Sequence, residues 1–527
     1  MAASLHPDEF DLMPTLAEMA RHHARTRGGK IAQSFEGRHT TYAELDAYAS
    51  QIAAALIAEG VKPGECVAYL GKNSDLYFEL VLGAAKAGAV IAPIGWRLSA
   101  GEVAYILDDS KAQLVFVGPE VAEIAEAAAA QSEAKPRRIA IENGFAAWRD
   151  AHAPVDPMIE LGPNDTALLL YTSGTTGRPK GVMLTSGNLM RSRRALAEAR
   201  MSWNEWNEGE VNLVAMPAAH IGGTGWGLVG LVNGVRNYIT REFNPIEAME
   251  LIEKERIAKM FLVPAALQFM VRLPRAREID YSSLQTILYG ASPIPLDLLR
   301  ECMDVFKCGF CQQYGMTETT GTIVYLPPED HDGAGNQRMR SAGKPMPGVE
   351  MRVIDGEGNV LGPNQTGEIC TRSAANMAGY WRNADATRGT VNADGWLRTG
   401  DAGYIDEDGY VFIQDRIKDM ICSGAENIYP AEVESAIFGH PAVAEVAVIG
   451  VPDETWGESV KAIVVPKPGA PQNAEDIIAF ARSRIAAYKA PKSVDFREQP
   501  LPRNPTGKIL RRELREPFWA GKERRVN

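Results

Sequence analysis

At 527 residues the chain is too long for one hydrophobic core, so at least two domains are expected. With 45% hydrophobic and 23% charged residues, its composition is that of a globular protein, which excludes a disordered or low-complexity chain. A net charge of −12 without a long Lys/Arg block argues against a nucleic-acid partner.

In chain order, Met1 to Glu18 carries acids and no apolar centre, so no signal peptide is expected. Thr41-Tyr42-Ala43-Glu44 has capping-box spacing and predicts a helix to about Gly60. Cys66 to Leu70 reads as a strand, Ser74 to Ala87 as a helix ended by Gly88, and Ala89 to Ile94 as a strand. The most apolar stretch, Leu80 to Ile94, holds Lys86 and Pro93 and is too short to span a bilayer. A cytoplasmic protein is therefore expected. Glu102 to Asp109 predicts a helix and Gln113 to Val117 a strand. This alternation, resumed from Val211 to about Tyr325, predicts an α/β fold with parallel sheet.

Arg352-Val353-Ile354 and Gly367 to Cys370 predict strands of an antiparallel, barrel-like segment. The charged run Asp415-Arg416-Ile417-Lys418-Asp419 reads as a solvated charge run, and the character of the chain changes around it. Beyond it, Pro430 to Phe438 and Asn473 to Arg484 predict helices, and Val443 to Val451 and Val460 to Val465 predict strands. That is enough for a smaller α+β domain. The six cysteines, at 66, 302, 308, 311, 370 and 422, do not form a disulfide framework. Cys302, Cys308 and Cys311 lack an obvious fourth ligand and read as free thiols.

The most informative segment is Tyr171-Thr172-Ser173-Gly174-Thr175-Thr176-Gly177-Arg178-Pro179-Lys180-Gly181-Val182. It follows the apolar run Ala167 to Leu170, which reads as a buried strand. Its glycines allow close backbone approach to an anion, and its hydroxyls and N–H groups can cradle phosphate oxygens. Lys180 is followed by Gly181 and a strand-like run, so this is not the Gly-Lys-Ser/Thr loop that opens a helix. Taken alone it also fits an ordinary Gly/Thr hairpin turn. Tyr314-Gly315-Met316-Thr317-Glu318 offers an aromatic face, a hydroxyl and a carboxylate suited to a hard cation. Thr399-Gly400-Asp401 offers a carboxylate for vicinal hydroxyls, or a plain Gly turn. Pro502-Arg503-Asn504-Pro505-Thr506-Gly507-Lys508 presents one lysine on a Pro/Gly loop, as a mobile element would.

These motifs, in this order and spacing, resemble the adenylate-forming superfamily over essentially the whole chain. The superfamily includes AMP-forming acyl-CoA synthetases, aryl-CoA ligases, peptide-synthetase adenylation domains and beetle luciferases. The resemblance implies a large N-terminal α/β domain over 1–415, a hinge at 416–418 centred on Lys418, and a mobile C-terminal domain over 419–527. It implies ATP, Mg²⁺ and coenzyme A as cofactors and co-substrates. The phosphate loop would use Thr172, Ser173, Gly174, Thr175, Thr176, Gly177 and Lys180. Gly290, Ala291 and Ser292 would line the adenine pocket, Tyr314 would stack on adenine beside Gly315, and Asp401 and Arg416 would hold ribose. Thr317 and Lys508 would address the reacting phosphorus, and Glu318 would contact magnesium. His220, Gly222, Gly315 and Met316 would meet the acid. Gly424 would pass the pantetheine, and Arg97 and the segment Tyr488-Lys489-Ala490-Pro491 would meet the CoA nucleotide.

The implied reaction is activation of a carboxylic acid to an acyl-adenylate, then transfer to CoA with release of AMP. The stretch from His220 to Leu231 is rich in Gly with Ile, Trp and Leu and offers no obvious cation. A medium- or long-chain fatty acid is expected first, an aryl or cinnamoyl-type acid next. Only a short tail follows Lys508, which favours free CoA over a carrier protein. The sequence leaves the oligomeric state open, with a homodimer among the expectations.

Overall fold

The structure is a computed structural model that describes residues 5–172, 178–423, 426–503 and 509–520, with the backbone alone for Lys418. Among these residues the chain forms four sheets.

The seven-stranded sheet has the order Gly379–Tyr380, Lys180–Thr185, Thr166–Thr172, Val90–Ile94, Cys66–Leu70, Leu114–Val117 and Arg137–Ala140. Its last five strands are parallel, while the first two pair antiparallel. Every residue of Cys66–Leu70 and Val90–Ile94 is buried, as expected of parallel strands covered on both faces. The nine-stranded sheet takes the second alternating stretch, from Val211–Val214 to Gly321–Leu326, and adds Ile31–Phe35 and Arg38–Thr41 at one edge.

Helices lie between these two sheets. Thr41 caps the helix Tyr42–Ala58 as its spacing predicts, its hydroxyl accepting the Glu44 N–H while the Glu44 carboxylate accepts the Thr41 N–H. Ser74 caps Asp75–Ala87, and Gly88 closes it at φ 73°. Every residue of that helix except the half-buried Leu76 is buried, its charged Asp75, Glu79 and Lys86 included. Its Lys86 is 0% exposed and survives burial through ion pairs of 2.6 Å to Asp46 and 2.7 Å to Asp156.

The predicted antiparallel segment is a four-stranded sheet of Glu350–Ile354, Gly367–Arg372, Leu397–Ile405 and Val411–Arg416. It ends at Arg416. A single 3-10 turn, Ile417–Asp419, follows, and Ile421–Ser423 opens the last sheet. There Val443–Asp453 and Gly457–Pro466 form a long antiparallel pair, with the helices Pro430–Phe438 and Ala474–Arg482 packed over it.

The charged run is not solvated throughout. Asp415 is buried, and its carboxylate accepts the Ala431 N–H at the start of helix Pro430–Phe438 at 2.9 Å. The run's composition says nothing of this, because the helix N-terminus that covers Asp415 comes from farther along the chain. Cys66, Cys302, Cys311 and Cys370 are buried and Cys308 and Cys422 half-buried, all six outside disulfides, and among the described residues no three His, Cys, Asp or Glu side chains converge on a metal position.

Candidate active site

The predicted phosphate segment joins two antiparallel strands. Thr166–Thr172 pairs with Lys180–Thr185, and Thr172 lies opposite Lys180. Between them, Ser173, Gly174, Thr175, Thr176 and Gly177 lie outside the described residues. The base of the segment is anchored: the Tyr171 hydroxyl donates to Asp109 at 2.6 Å, and the Tyr105 hydroxyl donates to the Pro179 carbonyl at 3.2 Å.

The strand Gly309–Met316 brings the second motif to this hairpin. Glu318, in the turn Thr317–Thr319, is 6% exposed. Its Oε1 accepts the Tyr380 hydroxyl at 2.9 Å and lies 3.5 Å from the Thr172 hydroxyl. Tyr380 pairs with Val182 on the hairpin strand, and the Lys180 ammonium sits 5.1 Å over its ring. The backbone N–H of Met377 donates to the Glu318 carbonyl at 2.8 Å. The Tyr380 segment therefore joins the two motifs, and the sequence reading missed it. Burial pushes the Tyr380 phenol up, as does the Glu318 carboxylate, so it stays protonated and donates.

Among the described residues nothing donates to Glu318 Oε2, and no partner is found for the Thr317 hydroxyl. A carboxylate beside Thr172 with one oxygen left unpartnered suits Mg²⁺, a hard cation that keeps water and phosphate as its other ligands.

Asp401 forms a second node. Its Oδ2 accepts the Tyr314 hydroxyl at 2.6 Å, and its Oδ1 pairs with Arg416 Nε at 2.8 Å. Asp401 lies opposite Arg416 across the strands Leu397–Ile405 and Val411–Arg416. Each carboxylate oxygen keeps accepting capacity for a hydroxyl donor. Tyr314 thus orients Asp401 through its phenol, in addition to any stacking by its ring.

Close backbone approach explains the glycines here. A Cβ at Gly290 would lie 2.1 Å from the Gln313 carbonyl oxygen, and one at Gly315 would lie 1.8 Å from that of Gly321. Ala291 follows at φ 65° and is exposed, with Ser292 half-buried beside it.

His220 precedes the helix Ile221–Val232 and is half-buried. Its Nε2 has no partner among the described residues. Burial first, and the Arg97 charge second, push its imidazole down to about 4, so it is neutral at pH 7. Arg97 itself is exposed, its guanidinium 4.5 Å over the Trp96 ring.

The helix glycines divide by face. Cβ atoms at Gly223, Gly227 and Gly230 would strike the Pro217 carbonyl at 2.2 Å, Phe78 at 2.2 Å and Asn237 at 1.9 Å, so these glycines serve packing. Gly222 faces Phe261, and a Cβ at Gly225 would meet only Ile221 of its own helix. Ile221, Gly222, Gly225 and Val229 are the half-buried stripe, at i, i+1, i+4 and i+8. Met316 packs against the same core as Ile221 and Phe261.

Gly424, the Lys418 side chain and Lys508 lie outside the described residues. The strand bridge between Arg503 and Ile509 brackets the segment 504–508. Tyr488 is exposed beside Lys489, which pairs with Glu432 at 2.8 Å.

Comparisons with known proteins give the family and the fold. A family model described as AMP-binding enzyme matches residues 20–381, and its C-terminal domain model matches 432–508. The chain is 44% identical over 517 residues to the fatty acid–[acyl-carrier-protein] ligase ScoC of Streptomyces coeruleorubidus, covering 98% of each chain. It is 39% identical over 504 residues to a feruloyl-CoA synthase of Amycolatopsis sp, covering 95% of this chain and 97% of the relative. The solved structure of ATP-bound MatB from Rhodopseudomonas palustris superposes with a TM-score of 0.86 at 29% identity, over 96% of this chain and 99% of that one. The chain belongs to the AMP-binding enzyme family of adenylate-forming enzymes, and it is an acid–thiol ligase.

Proposed function

We propose that this enzyme activates a medium- or long-chain fatty acid with ATP and transfers the acyl group to CoA in the cytoplasm. The observation that carries the acid class is the half-buried stripe of Ile221, Gly222, Gly225 and Val229, flanked by Phe261 and Met316. It offers apolar surface and room beside Gly225. His220, at the N-terminal end of the helix Ile221–Val232, is neutral and would present a polar edge to the carboxylate without adding charge.

In the first half-reaction a carboxylate oxygen attacks the α-phosphorus, the bond to the β-phosphate oxygen breaks, and pyrophosphate leaves. Charge builds on the α-phosphoryl oxygens and the leaving group, where preorganised donors contribute most. The hairpin joining Thr172 to Lys180 holds the outer phosphates, Thr317 and Lys508 address the α-phosphate, and Asp401 and Arg416 hold ribose. Glu318 would hold magnesium, which when bound neutralises phosphate charge. The C-terminal segment then turns about the hinge at 416–418, withdrawing Lys508 and presenting the Gly424 loop. The thiol sulfur attacks the acyl carbon, AMP departs, and the thiol proton passes to solvent. A thiol with pKa near ~8.5 is already a few per cent thiolate at neutral pH, so no dedicated base is needed.

A second reading has a carrier protein as the acceptor. The 44% identity to a fatty acid–[acyl-carrier-protein] ligase favours it. An aryl acid is the alternative substrate, favoured by the likeness to a feruloyl-CoA synthase and by the Trp226–Phe261 ring pair at 6.5 Å. One panel tests all of these: acids from C6 to C18 and hydroxycinnamates, scored by pyrophosphate release, then by thioester on CoA and on a carrier protein bearing phosphopantetheine. Release with fatty acids and thioester on CoA is expected. Release with hydroxycinnamates alone would overturn the acid class, and thioester on the carrier alone would overturn the acceptor.

A further inference from the structure

Arg511 stands three residues beyond Lys508 and is the first residue of the helix Arg511–Trp519. Its guanidinium is mostly buried, with 15% of the side chain exposed. Nε and Nη2 fork onto the Glu434 carboxylate at 3.0 and 2.7 Å, a bidentate pair. Glu434 also accepts the Val448 N–H at 2.8 Å, which fixes the pair on the strand Val443–Asp453.

The third nitrogen, Nη1, reaches the hinge. It lies 3.7 Å from Asp415 Oδ1 and 4.0 Å from Asp419 Oδ2, carboxylates on either side of Lys418. Asp415 is itself fixed, accepting the Arg416 N–H at 2.7 Å and the Ala431 N–H at 2.9 Å. The base of the 504–508 segment is closed by the Leu510 N–H donating to the Pro502 carbonyl at 2.8 Å, and Arg503 pairs with Glu445 at 2.7 Å. One arginine therefore touches the hinge and the first helix after it, and it directly follows Leu510 in the chain.

We infer that Arg511 is a positioning residue, which through Asp415 ties the placement of the Lys508 segment to the state of the hinge. The inference rests on the proposed role of Lys508 in adenylate formation. Guanidinium geometry matters here, because lysine offers a point charge without the planar fork that holds Glu434 bidentately while Nη1 faces Asp415 and Asp419. Asp415 lies before the hinge and Glu434 after it, so movement about 416–418 alters the Asp415 arm and leaves the Glu434 arm intact.

The test measures the two half-reactions separately in Arg511→Met, Arg511→Lys, Asp415→Asn and the Arg511→Met/Asp415→Asn double variant, with Lys508→Ala alongside. Adenylate formation should fall about tenfold in Arg511→Met and Asp415→Asn, while thioester formation from supplied acyl-adenylate stays within about twofold, and the double variant should be no worse than the poorer single one. Arg511→Lys should recover folding but not the adenylation rate. It carries the test if Arg511→Met does not fold. Equal loss in both half-reactions, additive losses in the double variant, or unchanged adenylation would overturn the inference. If Lys508→Ala keeps normal adenylation, the underlying reading fails instead.

Discussion

The phenol of Tyr380 donates a 2.9 Å hydrogen bond to Oε1 of Glu318, across 62 positions of chain. That bond falls on the same oxygen that lies 3.5 Å from the Thr172 hydroxyl, and among the described residues nothing donates to the other. It couples a residue in the Tyr314–Glu318 motif to one found only through the fold.

Glu318→Gln should lower turnover by about 10²–10³-fold, the range for losing one preorganised electrostatic group, with a much smaller change in melting temperature. Tyr380→Phe should cost about tenfold, in line with one hydrogen bond to a charged group, and should raise the magnesium concentration needed for half-maximal rate. Rates titrated with magnesium check both. Near-normal activity of Glu318→Gln at limiting magnesium would remove the metal assignment.

Lys508→Ala should reduce adenylate formation by about 10²-fold or more and spare thioester formation from supplied acyl-adenylate. Pyrophosphate release and acyl-CoA formation, followed separately, give the two rates. A parallel decline in both would mean that the lysine acts only structurally.

Lys418→Pro should leave adenylation largely working and block transfer to the thiol. Its backbone sits in the turn Ile417–Asp419, where proline fixes φ and removes an N–H while a hinge needs both φ and ψ to change. Acyl-CoA made from preformed adenylate at the parent rate would end the hinge assignment.

Gly225→Leu should shift the preferred acid to shorter chains. The added side chain would project over the half-buried stripe, where a Cβ meets only Ile221. The same change at Gly227, where an added Cβ would lie 2.2 Å from Phe78, should instead lower the melting temperature. Chain-length profiles of pyrophosphate release separate the two outcomes, and an unaltered profile in Gly225→Leu would place the acid elsewhere.

Stability should fall as pH drops below about 6.5. Burial holds the His220 imidazole down to about 4, and the buried His23 down to about 3, from an ordinary 6.5. Between those values the unfolded chain binds protons that the folded chain refuses, so acid favours unfolding and stability rises with pH through the window. Melting temperatures from pH 7.5 to 4.5 should show this slope, and His220→Asn should flatten it. An unchanged slope would mean that His220 titrates normally.

The sequence by itself determined the local elements and the motif order. The Thr41–Glu44 capping box, the buried strand Cys66–Leu70 and the helix Pro430–Phe438 were legible because their causes lie within a few residues of chain. Tertiary structure alone decided what stands opposite each side chain. It buried Asp415, which reads as solvated in its charged run, by placing the Ala431 N–H and Arg511 against it. It assigned Gly223, Gly227 and Gly230 to packing, leaving Gly222 and Gly225 on the half-buried face, a division that glycine content does not encode. It also brought Tyr380 to Glu318. Burial and pairing of a polar group depend on partners distant in sequence, and those partners are set by how the sheets and helices pack.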